Sequence, residues 1–118
     1  LNATAAAEHA PEIERKIRVI KERHRALSAR MPFDAAPGRI IVESIAFIVM
    51  WLNAFPSKNG CSETYSPRAI MTNTSLDWKL HCRAPFGSFC QVYVDTQPHN
   101  SPTERMVDAI CTGPTGNL

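Results

Sequence analysis

The fold of this chain is decided by residues 40–55, which read IIVESIAFIVMWLNAF. The segment is apolar apart from Glu43, Ser44 and Asn53. Sixteen residues of α-helix measure about 24 Å, which is shorter than the roughly 30 Å hydrocarbon core of a bilayer. We therefore predict a buried helix over about 39–55 and no membrane-spanning segment. A helix that is apolar on nearly all sides needs packing partners on more than one side.

An amphipathic pattern precedes this segment. Pro11 suits the first helical position, and the carboxylates of Glu12 and Glu14 suit the positive end of a helix dipole. Residues on one face recur at steps of four and three, which predicts a packed stripe made of Ile13, Ile17, Ile20, His24, Leu27 and Met31. We predict a helix over about 11–31, in which His24 is a helix-interface residue rather than a ligand.

The formal net charge of +2 is unevenly distributed. Residues 11–30 contain seven cations and three anions, a net charge of +4, and the rest of the chain carries −2. Glu14, Arg18, Lys21 and Arg25 follow the helical alternation, so one carboxylate begins a column of cations. Concentrated positive charge indicates a polyanionic partner. A solvated helix face with a Glu14–Arg18 ion pair is the alternative.

The second half of the chain has different elements. Ser66 is a candidate N-cap, followed by proline at the first helical position, and predicts a short helix near 67–73. Residues 89–94 and 106–111 predict two strands of a small antiparallel β segment, about 88–112. Helices followed by strands indicate the α+β class. A length of 118 residues with 44% hydrophobic composition excludes a disordered tail and a two-domain enzyme.

The cysteines do not form a recognisable metal or redox motif. Cys61, Cys82, Cys90 and Cys111 are separated by 21, 8 and 21 residues, and no pair has the C-x-x-C spacing. His81 beside Cys82 completes no ligand set, and no oriented base follows from the spacing. The amino-terminal residues lack the order of a secretory signal. We expect reduced thiols in an intracellular protein, with a structural disulfide as the alternative.

The aromatic residues are scattered along the sequence. Trp51, Trp78, Tyr65, Tyr93 and Phe89 have faces on which bases can stack. For Trp51 and Tyr93 we favour core packing.

Four sequence blocks carry a resemblance to a known family. They are EIERKIRVIKER at 12–23, VMWLNAFP at 49–56, SPRAIMT at 66–72 and HCRAPFGSFCQVYV at 81–94. In this order and spacing they resemble the polyprotein of copia-type long-terminal-repeat retrotransposons, over about residues 8–118. The resemblance is to the second half of the integrase catalytic core and the start of the SH3-like segment after it.

The resemblance implies a chemistry and a set of site residues. In that family the core has a ribonuclease H-like fold, and two Asp and one Glu bind the Mg²⁺ or Mn²⁺ ions used in 3′-processing and strand transfer. The family's Glu begins a helix in a pattern like Glu-Arg-Lys-x-Arg, which corresponds to Glu14 here, or to Glu12 if the register slips by two. The residues implied to bind nucleic acid are Arg15, Lys16, Arg18, Lys21 and Arg25.

The resemblance also divides the chain. Residues 1–56 resemble the C-terminal part of the integrase catalytic core, 57–80 a linker with a short helix, and 81–118 a partial SH3-like β region. The expected architecture is a truncated ribonuclease H-like core followed by an incomplete SH3-like barrel. Both family Asp residues precede the Glu, and no Asp precedes Glu14 in this sequence. We therefore expect this chain alone to be inactive and to hold no metal tightly.

Partners follow from the same resemblance. It implies DNA as the ligand, nuclear localisation, and the missing N-terminal part of the integrase as a partner. That missing part includes a sheet, so we expect uncovered apolar side chains on the 40–55 helix and self-association through them. The candidates are Ile40, Ile41, Ile45, Phe47, Ile48, Met50, Trp51 and Leu52. Two alternatives stay open: a non-catalytic nucleic-acid-binding module that uses the basic helix 12–30, and a helical oligomerisation or structural protein.

Overall fold

The computed structural model describes residues 11–58, 60–94, 97, 100 and 102–114. In this part of the chain four helices precede two antiparallel strands, which confirms the predicted α+β class. The elements are α1 (Pro11–Ser28), α2 (Gly38–Ala54), α3 (Pro67–Thr72), α4 (Trp78–His81), β1 (Phe89–Tyr93) and β2 (Met106–Ile110). The helix predicted at 39–55 is present, one residue earlier at each end.

Helix α1 is shorter than predicted, because its last turn tightens before Pro32. The amide of Arg30 donates to the carbonyl of Leu27 at 3.1 Å, and the amide of Met31 donates to Ser28 at 3.1 Å. These i to i+3 bonds belong to a 3₁₀-type turn, and Pro32 has no amide hydrogen with which to continue it. The prediction that the helix reaches residue 31 is wrong for this reason.

The apolar stripe of α1 is covered only in its C-terminal half. Ile13 is 62% exposed and Ile17 is also exposed, whereas Ile20, His24 and Leu27 are half-buried. No residue of α1 is fully buried. The predicted stripe is therefore packed from Ile20 onwards, whereas Ile13 and Ile17 at its beginning are not covered.

A hydrogen bond between His24 and Ser44 joins α1 to α2. Ser44 is completely buried, its Oγ donates to the carbonyl of Ile41 at 2.7 Å, and the same atom lies 2.8 Å from Nδ1 of His24. A serine hydroxyl has a single hydrogen. Since that hydrogen goes to Ile41, the Nδ1–H of His24 donates to Ser44. This contact confirms the prediction of a helix-interface histidine.

Helix α2 is buried on one side only. The buried apolar residues of the described chain are Ile48, Met50 and Ala54, all on α2, and Phe86. The exposed side, which we call the α2 outer face, consists of Ile41, Val42, Ile45 and Val49. The expectation that some of the named apolar residues stay uncovered is confirmed by Ile41 and Ile45, whereas Ile48 and Met50 are buried.

Two short helices follow, and both are capped by side chains. Ser66 Oγ accepts from the amide of Ala69 at 3.1 Å, as its N-cap prediction requires. Helix α3 ends at Thr72, one residue early, because Asn73 adopts the left-handed conformation (φ 53°). Helix α4 was not predicted. Its cap is Asp77, whose Oδ1 accepts from the amide of Lys79 at 2.9 Å.

The two strands pair from Phe89 opposite Ile110 to Tyr93 opposite Met106. Each is one residue shorter than predicted, although the amide of Val94 still donates to the carbonyl of Arg105 at 2.9 Å. Among the described elements, no helix packs against either strand. Tyr93 is consequently 52% exposed, and the prediction of core packing for it is wrong.

The strands are attached to the helices through the residues at their base. Phe86 is buried, and its ring centroid lies 5.2 Å from that of Phe47 on α2. Gly87 has φ +80°, and its amide donates to the carbonyl of Cys111 at 2.8 Å. A Cβ at Gly87 would lie 3.1 Å from Cγ of Met31, so the chain passes close to the end of α1.

Candidate nucleic-acid interface

Helix α1 presents a charged groove on one exposed side. Its lining contains the column predicted from the sequence, Glu14, Arg18, Lys21 and Arg25, together with Ile17 and Glu22. All six residues are exposed and all lie on α1, so the groove is a shallow depression between side chains of one helix. We call the four predicted residues the α1 column. Steps of four and three residues bring these side chains onto one face of the helix.

The length of the α1 column suits a nucleic-acid strand. Arg18 and Arg25 are seven residues apart, about 10.5 Å along the helix axis. Arginine and lysine side chains are long and flexible enough to contact neighbouring phosphates of one strand over such a distance. Arg18, Lys21 and Arg25 can therefore each contact a phosphate of the same strand.

Other residues implied by the family resemblance lie outside this groove. Arg15 and Lys16 are exposed, but neither lines it. At 3.6 residues per turn, Lys16 points roughly 160° away from Arg18 around the axis. Glu12 likewise points roughly 160° away from Glu14. The groove therefore contains Glu14 and three of the five implied cations. Glu12 is not part of it.

The carboxylates of the groove do not form a metal site. Mg²⁺ requires near-octahedral coordination by oxygen ligands at about 2.0–2.1 Å. The second carboxylate in the groove belongs to Glu22, which is about 12 Å further along the helix axis than Glu14. No group of three His, Cys, Asp or Glu side chains that could hold a metal occurs among the described residues. The donor set of the described residues therefore does not fit Mg²⁺ or Mn²⁺ by itself, and no metal-dependent step follows from it.

The structure brings together aromatic residues that are far apart in the sequence. The rings of Trp51, Phe55 and Trp78 form a triangle with centroid separations of 6.0 Å, 6.4 Å and 6.0 Å. Trp78 is 59% exposed and Phe55 is 46% exposed. We call these three residues the aromatic cluster. The i, i+4 spacing of Trp51, on α2, and Phe55, the residue that follows α2, was a usable sequence signal, whereas the position of Trp78 depends on the unpredicted helix α4.

A second groove lies between α1 and α2 and adjoins the aromatic cluster at Trp51. We call it the α1–α2 groove; it has a volume of about 280 Å³ and is lined by Arg23, Ala26, Leu27, Arg30, Phe47, Ile48 and Trp51. Its lining includes two arginines and no carboxylate. Arg23 is on α1, and Arg30 is in the turn that follows the helix. Around the helix axis, Arg23 points roughly 140–160° away from the cations of the α1 column.

His81 makes structural contacts, and the four cysteines are not joined to one another. His81 Nδ1 lies 2.7 Å from the carbonyl of Asp77, and His81 Nε2 lies 3.5 Å from Arg68 Nη2. Since a guanidinium only donates, Nε2 accepts and Nδ1–H donates to Asp77. The four cysteines are free thiols, with Cys61 and Cys82 exposed and Cys90 and Cys111 partly buried. This arrangement aligns no nucleophile with a base.

None of the described helices combines the length and the apolar composition needed to cross a membrane. No protein-family model, curated protein or solved structure matches this chain.

Proposed function

We propose that this chain is part of a copia-type retrotransposon integrase and that it binds the phosphate backbone of DNA through the α1 column. The observation that carries the proposal is the position of Arg18, Lys21 and Arg25 in one exposed groove of a continuous helix. The four sequence blocks and the helices-then-strands order support the family assignment. A ribonuclease H-like origin for α1 and α2, an SH3-like origin for β1 and β2, and nuclear localisation are parts of the same proposal.

The DNA-binding part is tested by salt dependence. For three phosphate contacts, the slope of log K against log salt is about −2.7, so a fourfold rise in salt weakens duplex binding about 40-fold. Labelled duplex DNA titrated with the full chain at 50 and 200 mM salt measures this slope. Replacing Arg18, Lys21 and Arg25 together by Gln is expected to remove most of the affinity and most of the slope.

A matched variant controls for net charge alone. Replacing Arg39, Lys58 and Arg83 by Gln removes the same charge from residues outside the groove. This variant is expected to bind duplex DNA within about twofold of the native chain. An equal loss of affinity in both variants would show that duplex binding depends on the net charge and not on a defined site. The proposal for the α1 column would then be wrong.

Integration itself is proposed only for the whole enzyme. In the assembled integrase, Glu14 supplies one of the carboxylates that bind Mg²⁺ or Mn²⁺, and the two Asp residues come from the N-terminal part. Strand transfer measured with both parts present is expected to disappear with Glu14→Gln and to persist with Glu12→Gln. Strand transfer by the chain alone, or a fully active Glu14→Gln enzyme, would contradict this assignment.

A second candidate function, self-association, is favoured by the α2 outer face. Ile41, Val42, Ile45 and Val49 are exposed on consecutive turns of one helix. We expect a second copy of the chain to cover them when no other integrase segment does. Light scattering after size exclusion is expected to give a dimer for the native chain and a monomer for Val42→Glu. Leu80→Glu, which places the same charge at an exposed apolar residue of α4, is expected to stay dimeric.

A further inference from the structure

The aromatic cluster combines exposed rings with nearby positive charge. Trp78 and Phe55 are about half exposed, although each contacts the other and Trp51. Trp51 also lines the α1–α2 groove together with Arg23 and Arg30, so the groove adjoins the aromatic cluster at this ring.

Stacking surfaces next to arginines match the chemistry of unpaired nucleotides. Single-strand-binding proteins stack bases on aromatic side chains and follow the backbone with a positively charged groove. Bases in a duplex are already stacked on each other, so their faces are not available to Trp78 or Phe55. We infer that the aromatic cluster and the α1–α2 groove form a site for single-stranded nucleic acid. Bases stack on Trp78 and Phe55, and Arg23 and Arg30 hold the phosphates.

Charge and size favour this occupant over a protein segment. Two arginines and no carboxylate line the groove, which complements a phosphate backbone. The volume of about 280 Å³ lies just below the range of about 300–1,000 Å³ for small-molecule sites. A groove of about this size can hold a nucleotide unit.

This site is separate from the one in the proposed function. Arg23 lies on the side of α1 away from the α1 column and Arg30 lies in the turn after the helix, so neither belongs to the face that carries Arg18, Lys21 and Arg25. The inference therefore goes beyond duplex binding and can fail or succeed independently of it.

The test compares single-stranded and duplex DNA with the full chain. Trp51 and Trp78 are the two tryptophans, so their fluorescence is expected to be quenched when a dT 20-mer binds. Trp78→Ala is expected to weaken single-strand binding about five- to 150-fold, the range that loss of one base–aromatic stack gives, and to change duplex binding less than twofold. Trp78→Phe, which keeps a ring at this position, is expected to recover most of the affinity.

A second variant tests the arginines. Two single-strand phosphate contacts contribute about −1.4 to the slope of log K against log salt. Arg23→Gln combined with Arg30→Gln is therefore expected to make this slope less negative by about 1.4. Tyr93→Ala removes a similarly exposed ring from β1 and is expected to leave single-strand binding unchanged. Circular dichroism checks that each variant keeps the helices of the native chain.

The outcomes separate the two proposals. If the Gln variant of the α1 column loses duplex binding and keeps single-strand binding, both proposals hold. If the native chain binds the dT 20-mer and not the duplex, the proposed function fails and this inference stands. If duplex binds but the dT 20-mer does not, or if Trp78→Ala and the Arg23, Arg30 variant bind the dT 20-mer with native affinity, this inference is wrong.

Discussion

Helices α1 and α2 are nearly equal in length, with 18 and 17 residues, but they are built for different surroundings. Helix α1 buries none of its residues, whereas α2 buries Ser44, Ile48, Met50 and Ala54. Helix α2 nevertheless keeps Val42 66% exposed, because the described chain covers only one of its sides. Helix α1 therefore keeps its charged residues exposed, while α2 is an incompletely covered core helix.

The largest expected difference in unfolding free energy is between two isoleucine-to-alanine variants, one at a buried position of α2 and one at an exposed position of α1. Ile48 is buried, and Ile48→Ala leaves a cavity that is expected to lower the free energy of unfolding by about 2–5 kcal/mol. Ile13→Ala at the exposed start of α1 is expected to change it by less than about 0.5 kcal/mol. Urea unfolding followed by circular dichroism measures both. Equal losses of unfolding free energy in the two variants would show that the start of α1 is packed in solution. The two helices would then not differ in burial as described.

An intermediate effect is expected at the contact between the two helices. Ser44→Ala removes the acceptor of the His24 Nδ1–H bond and leaves that donor partly buried without it. The expected loss of unfolding free energy is about 1–3 kcal/mol. Ser62→Ala, whose hydroxyl bonds only to exposed loop amides, is the control and is expected to lose less. If Ser44→Ala does not change the free energy of unfolding, apolar contacts alone join α1 to α2.

A smaller effect is expected where the strands meet the end of α1. Gly87→Ala forces an L side chain to adopt φ +80° beside Met31, at an expected cost of about 1–2 kcal/mol. Gly38→Ala is the control, because its Cβ would meet no atom within 4 Å at the start of α2. The difference between the two unfolding free energies measures how much this junction contributes. A Gly87→Ala variant as stable as Gly38→Ala would show that the junction is loose.

The elements of this fold were predictable where the apolar pattern was long or where the sequence contained a side chain that caps a helix. The apolar run at 40–55, the Ser66 cap and the valine- and aromatic-rich run at 89–94 each gave an element within one residue of its observed end. Helix α4 was missed because four residues are too few for periodicity, although Asp77 was a usable cap signal. The exposure of Ile13 was not predictable, since periodicity identifies an apolar face without showing whether another element reaches it.

The candidate site was predictable to a similar extent. Spacing within one helix was sufficient to place Arg18, Lys21 and Arg25 together, because helix geometry fixes their relative positions. The family pattern added Lys16, which the same geometry directs to another side of α1. The proximity of Trp51 to Trp78 depends on the path of the intervening 26 residues, and no local pattern specifies that path.

The attachment of β1 and β2 through Phe86 and Gly87 has a consequence for how the chain opens. Since no described helix packs on either strand, the strand hydrogen bonds depend on each other and on a few contacts at one end. Local units with little buried surface open at lower free energy than the rest of a protein. The amides of β1 and β2 should therefore exchange with deuterium sooner than those around Ile48, so that the strands separate while α1 and α2 stay joined.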